Sequence, residues 1–203
     1  MAQDIKPTRS ELLKVKKQIK LAKSGYSLLK KKRDGLILEF FEILKKAKSL
    51  RQELTEEYKI ALRKIGVART LETDISVNST AMAIKPIKDI RLETRNIMGV
   101  RVPKVEVSEV RKAMMERGYG AYTPAVVTEA ADSYESVVEK VLLAAEVETS
   151  MRKLLSEIER TKRRVNALEF KVIPNLEKVR SFIQLRLEEM ERENTFRMKR
   201  IKA

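Results

Sequence analysis

Thirteen positions between 12 and 54 recur in strictly alternating steps of three and four, and all but Arg33 are apolar or aromatic. They are Leu12, Val15, Ile19, Ala22, Tyr26, Leu29, Leu36, Phe40, Ile43, Ala47, Leu50 and Leu54. A stripe of that period runs along one side of an α-helix and needs a second helix to bury it. The same chain supplies one. Met151, Leu154, Ile158, Val165, Leu168, Val172, Leu176, Val179, Ile183, Leu187 and Met190 form a second seam, broken only at Thr161. Paired steps of four around Val172–Leu176 and Ile183–Leu187 are stutters that locally unwind a supercoil. The expected fold is mainly α: a long antiparallel two-helix coiled coil made by the N- and C-terminal arms, with a short β-hairpin and a small helix in the middle. Antiparallel pairing follows from the connector, because a parallel pair would require it to stretch back along the whole paired length.

The first arm has a readable start, since Thr8 and Glu11 stand in the capping-box relation behind Pro7. It is expected to run to about Ile65, with the apolar face passing to Tyr58, Leu62 and Ile65 and Gly66 marking its end. Gly25 and Gly35 weaken it by about 1 kcal/mol each relative to alanine. Arg33 either packs its stem while its head reaches water or pairs across to a carboxylate.

The middle changes period. Ile75/Val77, Ile90/Leu92, Val100/Val102 and Val105/Val107 alternate with polar residues, which predicts strands, and Asn96, Ile97, Met98 and Gly99 form the hairpin turn between two of them. Pro86 and Pro103 are expected near its edges, and Ser108 to open a short helix closed by Gly118. The second arm begins near Thr123-Pro124, or afresh at Asp132 in a capping relation with Glu135, and continues to about Arg200. Pro174 falls inside the first stutter, where a bend would accommodate it. The resulting division is 8–66, a first arm; 67–122, a middle region; and 123–200, a second arm.

Charge follows the same division. The chain carries 44 Lys and Arg against 29 Asp and Glu; residues 9–64 hold 17 basic and 7 acidic, 65–150 hold 11 and 13, and 151–203 hold 15 and 8. Basic arms around a neutral middle fit nucleic acid, anionic lipid or an acidic protein surface. With no His and no Cys, the commonest general base, thiolate nucleophile and soft metal ligands are missing. No phosphate loop or dinucleotide fingerprint occurs. No catalytic, cofactor or metal residues are assigned. The longest apolar run, Val141 to Ala145, is far short of the roughly 20 residues of a spanning helix. With no apolar leader either, a cytoplasmic location is expected, with membrane contact only through partners.

Three stretches then stand out together: Pro7 to Leu13 with Gly25-Tyr26 and Lys32-Arg33-Asp34; Asn96 to Val100 with Pro103; and Arg163 to Glu169 with Val172-Ile173-Pro174. In order and spacing they resemble the D subunit of the archaeal A-type and vacuolar-type rotary ATPases. The resemblance implies a non-catalytic central-stalk rotor subunit, carrying torque between an ATP-hydrolysing or ATP-synthesising head and a membrane ion-translocating ring. It implies as partners the catalytic A and non-catalytic B subunits of the head, the F subunit of the stalk and the C subunit of the socket, on the cytoplasmic side of the membrane. Candidate contacts with the head are Arg9, Lys14, Lys17, Arg163, Arg164 and Arg197. The rival readings are a basic coiled-coil nucleic-acid binder, for which neither arm has a reading motif, and a structural tethering coiled coil.

Overall fold

The computed structural model describes residues 6–84, 90–106, 117–119 and 123–202. Its elements are α1 (Arg9–Leu71), α2 (Asp74–Ala83), β1 (Arg91–Ile97), β2 (Val100–Glu106), α3 (Ala125–Ala167), a π-helical turn (Leu168–Val172) and α4 (Ile173–Lys202). The chain divides into two compact units, Met1–Gly35 with Ile158–Ala203, and Leu36–Glu157.

In the first unit the start of α1 lies antiparallel to α4. Arg9 pairs with Glu191 at 2.6 Å and Lys23 with Glu177 at 2.7 Å, so the partner number falls as the α1 number rises. Val15, Ile19 and Ile183 form the core, covered by Leu12, Leu176, Val179 and Leu187. Burying each such side chain contributes about 1.5–3 kcal/mol, against at most about 1 kcal/mol for an exposed ion pair, so the seam decides the pairing. Val165 and Thr161 are fully buried as well, so the polar break in the second seam occupies its seam position. α1 starts at the expected cap, with the Glu11 N–H donating to Thr8 Oγ1 at 3.2 Å. Among the described residues Arg33 does not pair across: it is half-buried and bonds Asp34 on its own helix at 2.8 Å.

Two seam positions move. Val172 is 38% exposed, and its neighbour Ile173 is partly buried. The cause is the π turn, where the Ile173 N–H bonds the Leu168 carbonyl five residues back instead of four. Pro174 follows at once and has no N–H to offer the Phe170 carbonyl, so widening the ladder here costs a bond that was already lost. In place of the bend expected at the stutter, the helix takes up an inserted residue. Met190 is also exposed, at the margin of the seam.

In the second unit the antiparallel order recurs: Arg51 meets Glu148 at 2.6 Å, Lys140 meets Glu57 at 2.7 Å, and Lys64 meets Glu129 at 3.3 Å. Leu36 and Leu154 are fully buried, and beyond Leu54 the buried positions are Ala61 and Ala68. Of the three residues expected to carry the face onward, Ile65 packs against the Ala68 cluster, while Tyr58 and Leu62 point outward, because Glu57 occupies the interface as the ion partner of Lys140 and alanine fills the next turns. α1 likewise runs past Gly66 to Leu71. Ala68 packs on Val77 and Val127 there, which outweighs the roughly 1 kcal/mol cost of one glycine.

The strand expected around Ile75 and Val77 is the helix α2 instead. Only Val77 is buried, against α1 and α3, while Ile75 is 82% exposed. Two alternating residues are too few to distinguish period two from one turn of helix. The hairpin forms where expected. Arg91 to Ile97 pairs in unbroken antiparallel register with Glu106 to Val100. Met98 and Gly99 take φ of 48° and 89°, and Asn96 Oδ1 accepts the Gly99 N–H at 2.9 Å, a two-residue turn matched to the strand twist. Pro103 sits inside β2 opposite Thr94. Pro86, Val107 and the short helix expected from Ser108 lie outside the described residues. α3 starts at Ala125, just after Pro124, whose carbonyl accepts the Val127 and Thr128 N–H groups at 3.0 and 3.2 Å. Asp132 and Glu135 lie inside it and cap nothing.

Candidate functional site

The six cations singled out from the sequence fall into two groups. Arg9, Lys14, Lys17 and Arg197 belong to the terminal part of the first unit, while Arg163 and Arg164 stand just before the π turn. Roughly 50 Å of helix separates Arg163 from Arg197 at about 1.5 Å per residue. All six are exposed. Four are held by carboxylates: Arg9 by Glu191, Lys14 by Glu11 at 3.2 Å, and Arg163 and Arg197 by Glu159 and Glu193 at 3.7 Å. Lys17 and Arg164 have no ion pair among the described residues.

α4 extends past the first residue of α1. Arg9 already meets Glu191, so Arg192 to Lys202 have no facing turn of α1, and every one of them is exposed. Phe196, Met198 and Ile201 are 75%, 67% and 80% exposed, interspersed with Arg197, Lys199, Arg200 and Lys202. A helix end with large apolar side chains exposed among cations is a candidate contact surface.

The Lys23–Glu177 pair couples this unit to pH. A hydrogen bond from Lys23, reinforced by its charge, lowers the Glu177 pKa. Its stabilisation is present above the unfolded carboxylate pKa and is lost as pH falls through the lower folded value. Glu177→Gln is therefore expected to flatten the decline in thermal midpoint below about pH 4.5, measured by circular dichroism between pH 3 and 7.

Two charge clusters in the second unit escaped the sequence reading. Arg117 is buried and donates to Glu135 at 2.9 and 2.8 Å, to Tyr119 Oη at 3.1 Å, and to Asp132. Burial opposes its charge, but these acceptors more than offset that and raise its pKa. The cluster fastens residues 117–119 to α3. Lys140 bridges Glu57 and Glu53 of α1 at 2.7 and 3.2 Å; the hydrogen bond to Glu57 raises its pKa, against desolvation. Neither cluster has a periodic signature, so only the fold reveals them. Lys140 favours this register of α1 on α3, since a one-turn slip would leave it only one of the two carboxylates.

The hairpin rests on this unit through Val102, which is buried, and through the Val105 N–H, which donates to Glu146 Oε2 of α3 at 2.8 Å. A mixed-charge cleft of about 240 Å³ lies beneath, bordered by Glu39, Lys46, Arg95 and Ser150. Further along, Ala47 and Ala144 leave a groove of about 410 Å³ rimmed by Lys48, Arg51 and Glu148. Among the described residues no cluster of carboxylates is placed to hold a metal, and no helix is long and apolar enough to cross a membrane.

Compared with known families, residues 11–203 match the model of the ATP synthase D subunit. The chain belongs to that family. The A-type ATP synthase D subunit of Methanococcoides burtonii is 61% identical over 202 residues, covering 99% of this chain and 98% of the relative. Its counterpart in Methanosarcina acetivorans is 56% identical over 99% of this chain and 97% of its own. That of Halorubrum lacusprofundi is 50% identical over the full chain and 90% of the relative. Membership in the D-subunit family makes the chain one subunit of an ATP synthase.

Proposed function

We propose that the chain is the central-stalk rotor subunit of an A-type ATP synthase and transmits torque between the ATP-processing head and the membrane ion-translocating ring without performing catalysis itself. The observation that carries this reading is the antiparallel seam, buried within each unit and pinned by ion pairs along α1, because twisting load passes through packed side chains and not through a catalytic centre. In this reading residues 8–66 and 123–200 are the two arms of the shaft and 67–122 its middle. The A and B subunits of the head surround the uncovered end of α4, the F subunit lies along the stalk and the C subunit seats the other end. The chain then sits peripherally on the cytoplasmic side of the membrane.

Arg9, Lys14, Lys17 and Arg197 would steer the shaft past acidic surfaces of the head, with Arg163 and Arg164 acting further along. Reversing Lys14, Lys17 and Arg197 to glutamate is expected to lower ATP turnover of a reconstituted head several-fold, while the α-helical signal of the chain is unchanged. Unaltered turnover would leave these cations a role in solvation alone. Recovery of the head subunits with the tagged chain from its native extract tests assembly itself.

A further inference from the structure

The two edges of the hairpin are not alike. Ile97 and Val100 flank a two-residue turn and so exchange both backbone hydrogen bonds, and bonded and non-bonded pairs alternate from there. Leu92, Thr94 and Asn96 on β1, and Arg101, Pro103 and Val105 on β2, therefore direct their backbone groups away from the partner strand. Val105 fixes this phase, since its N–H leaves the sheet to meet Glu146. The β2 edge is mostly blocked: Pro103 has no N–H to offer and that of Val105 is taken, which leaves the Arg101 N–H alone. β1 has no proline and no bulge, and Arg91 to Asn96 are all exposed. An open edge of this kind is a template for another strand.

We infer that the outer edge of β1 receives a third β-strand from another member of the complex, an extended segment presenting a carboxylate to Arg95 and an apolar side chain to Leu92. Side chains set that pattern. Glu93 is matched by Lys104 at 3.7 Å, while Arg95, opposite Val102 at the border of the cleft that Glu39, Glu42 and Glu146 also line, has no ion pair among the described residues. Leu92 is 68% exposed on the other face. A second copy of the chain could also pair here, antiparallel about Thr94 with Glu93 against Arg95. The seven residues of β1, however, fall short of the about 20–30 per side of a stable interface. A protein already held on the complex needs no larger patch, because tethering makes edge pairing intramolecular. The inference thus rests on the proposed assembly, and a strand so bonded turns with the shaft.

Amide hydrogen exchange tests it, on the full chain alone and after reconstitution with the remaining soluble subunits of the ATP synthase. In the free chain the Leu92, Thr94 and Asn96 amides exchange quickly and those of Glu93 and Arg95 slowly. On assembly the first three are expected to slow at least 10-fold. Thr94→Pro, which deletes an outward N–H and spares the hairpin ladder, should abolish that protection while Glu93 and Arg95 remain slow. Co-elution of the subunits with no slowing overturns strand addition alone. Failure to co-elute overturns the assembly reading and this inference with it. Protection that appears in the free chain and grows with its concentration assigns the edge to a second copy and overturns the proposal.

Discussion

Ile183→Ala is expected to lower the stability of the first unit by about 2–5 kcal/mol, the range for truncating a fully buried Leu or Ile. Ile183 has no exposed surface and sits between Val15 and Ile19, so the substitution opens a cavity across the seam and not at its rim. Urea unfolding followed at 222 nm reads the loss as a lower midpoint. Its sequence neighbours supply the contrast. Phe182 and Leu185 are 51% and 57% exposed, and alanine at either should stay within about 0.5 kcal/mol of the parent. A loss below about 1 kcal/mol for Ile183→Ala would mean that the two arms are not held by this core.

Arg117→Ala carries the second large effect. The guanidinium is buried against Glu135, whose carboxylate is one-fifth exposed; its removal takes away charge-assisted hydrogen bonds worth about 1.5–3 kcal/mol each. The loss should concentrate where residues 117–119 meet α3. Limited proteolysis would show it as cleavage beside Gly118 that the parent resists, with α1 and α4 intact. Arg117→Lys should recover only part of the protection, since a single ammonium cannot span Glu135, Asp132 and Tyr119 together. Equal resistance of parent and Arg117→Ala would show that the segment is fastened elsewhere.

The parts of the fold that were legible in the sequence are those in which a local pattern and a tertiary contact agree. The three-four spacing of Val15, Ile19 and Leu36 requires a partner, and their burial follows from it. Asn96 to Gly99 reads as a hairpin turn because Gly99 accepts positive φ and Asn96 caps its N–H, and these hold Met98 at positive φ although its residue type rarely adopts it. The misreadings arise where one contact overrides a local signal. Gly66 reads as a helix end, yet the packing of Ala68 on Val77 carries α1 onward, and the same contact makes Val77 helical. Asp132 and Glu135 have the spacing of a cap, but their partner is Arg117, whose approach nothing in the local sequence announces. The surface cations were found as residues but not as a site, since periodicity says which side of a helix is dry and not what meets the wet side.

One inserted residue has a reach far beyond its own turn. In an α-helix each residue advances the direction of side chains by about 100°, so the extra residue taken up between Leu168 and Val172 sets the azimuth of all of α4. Ile183 faces Ile19, Glu177 faces Lys23 and Glu191 faces Arg9 because that phase was chosen upstream. The π turn therefore works as an indexing step: five residues decide which longitude of the terminal helix is spent on its own partner and which is left for the proteins around it.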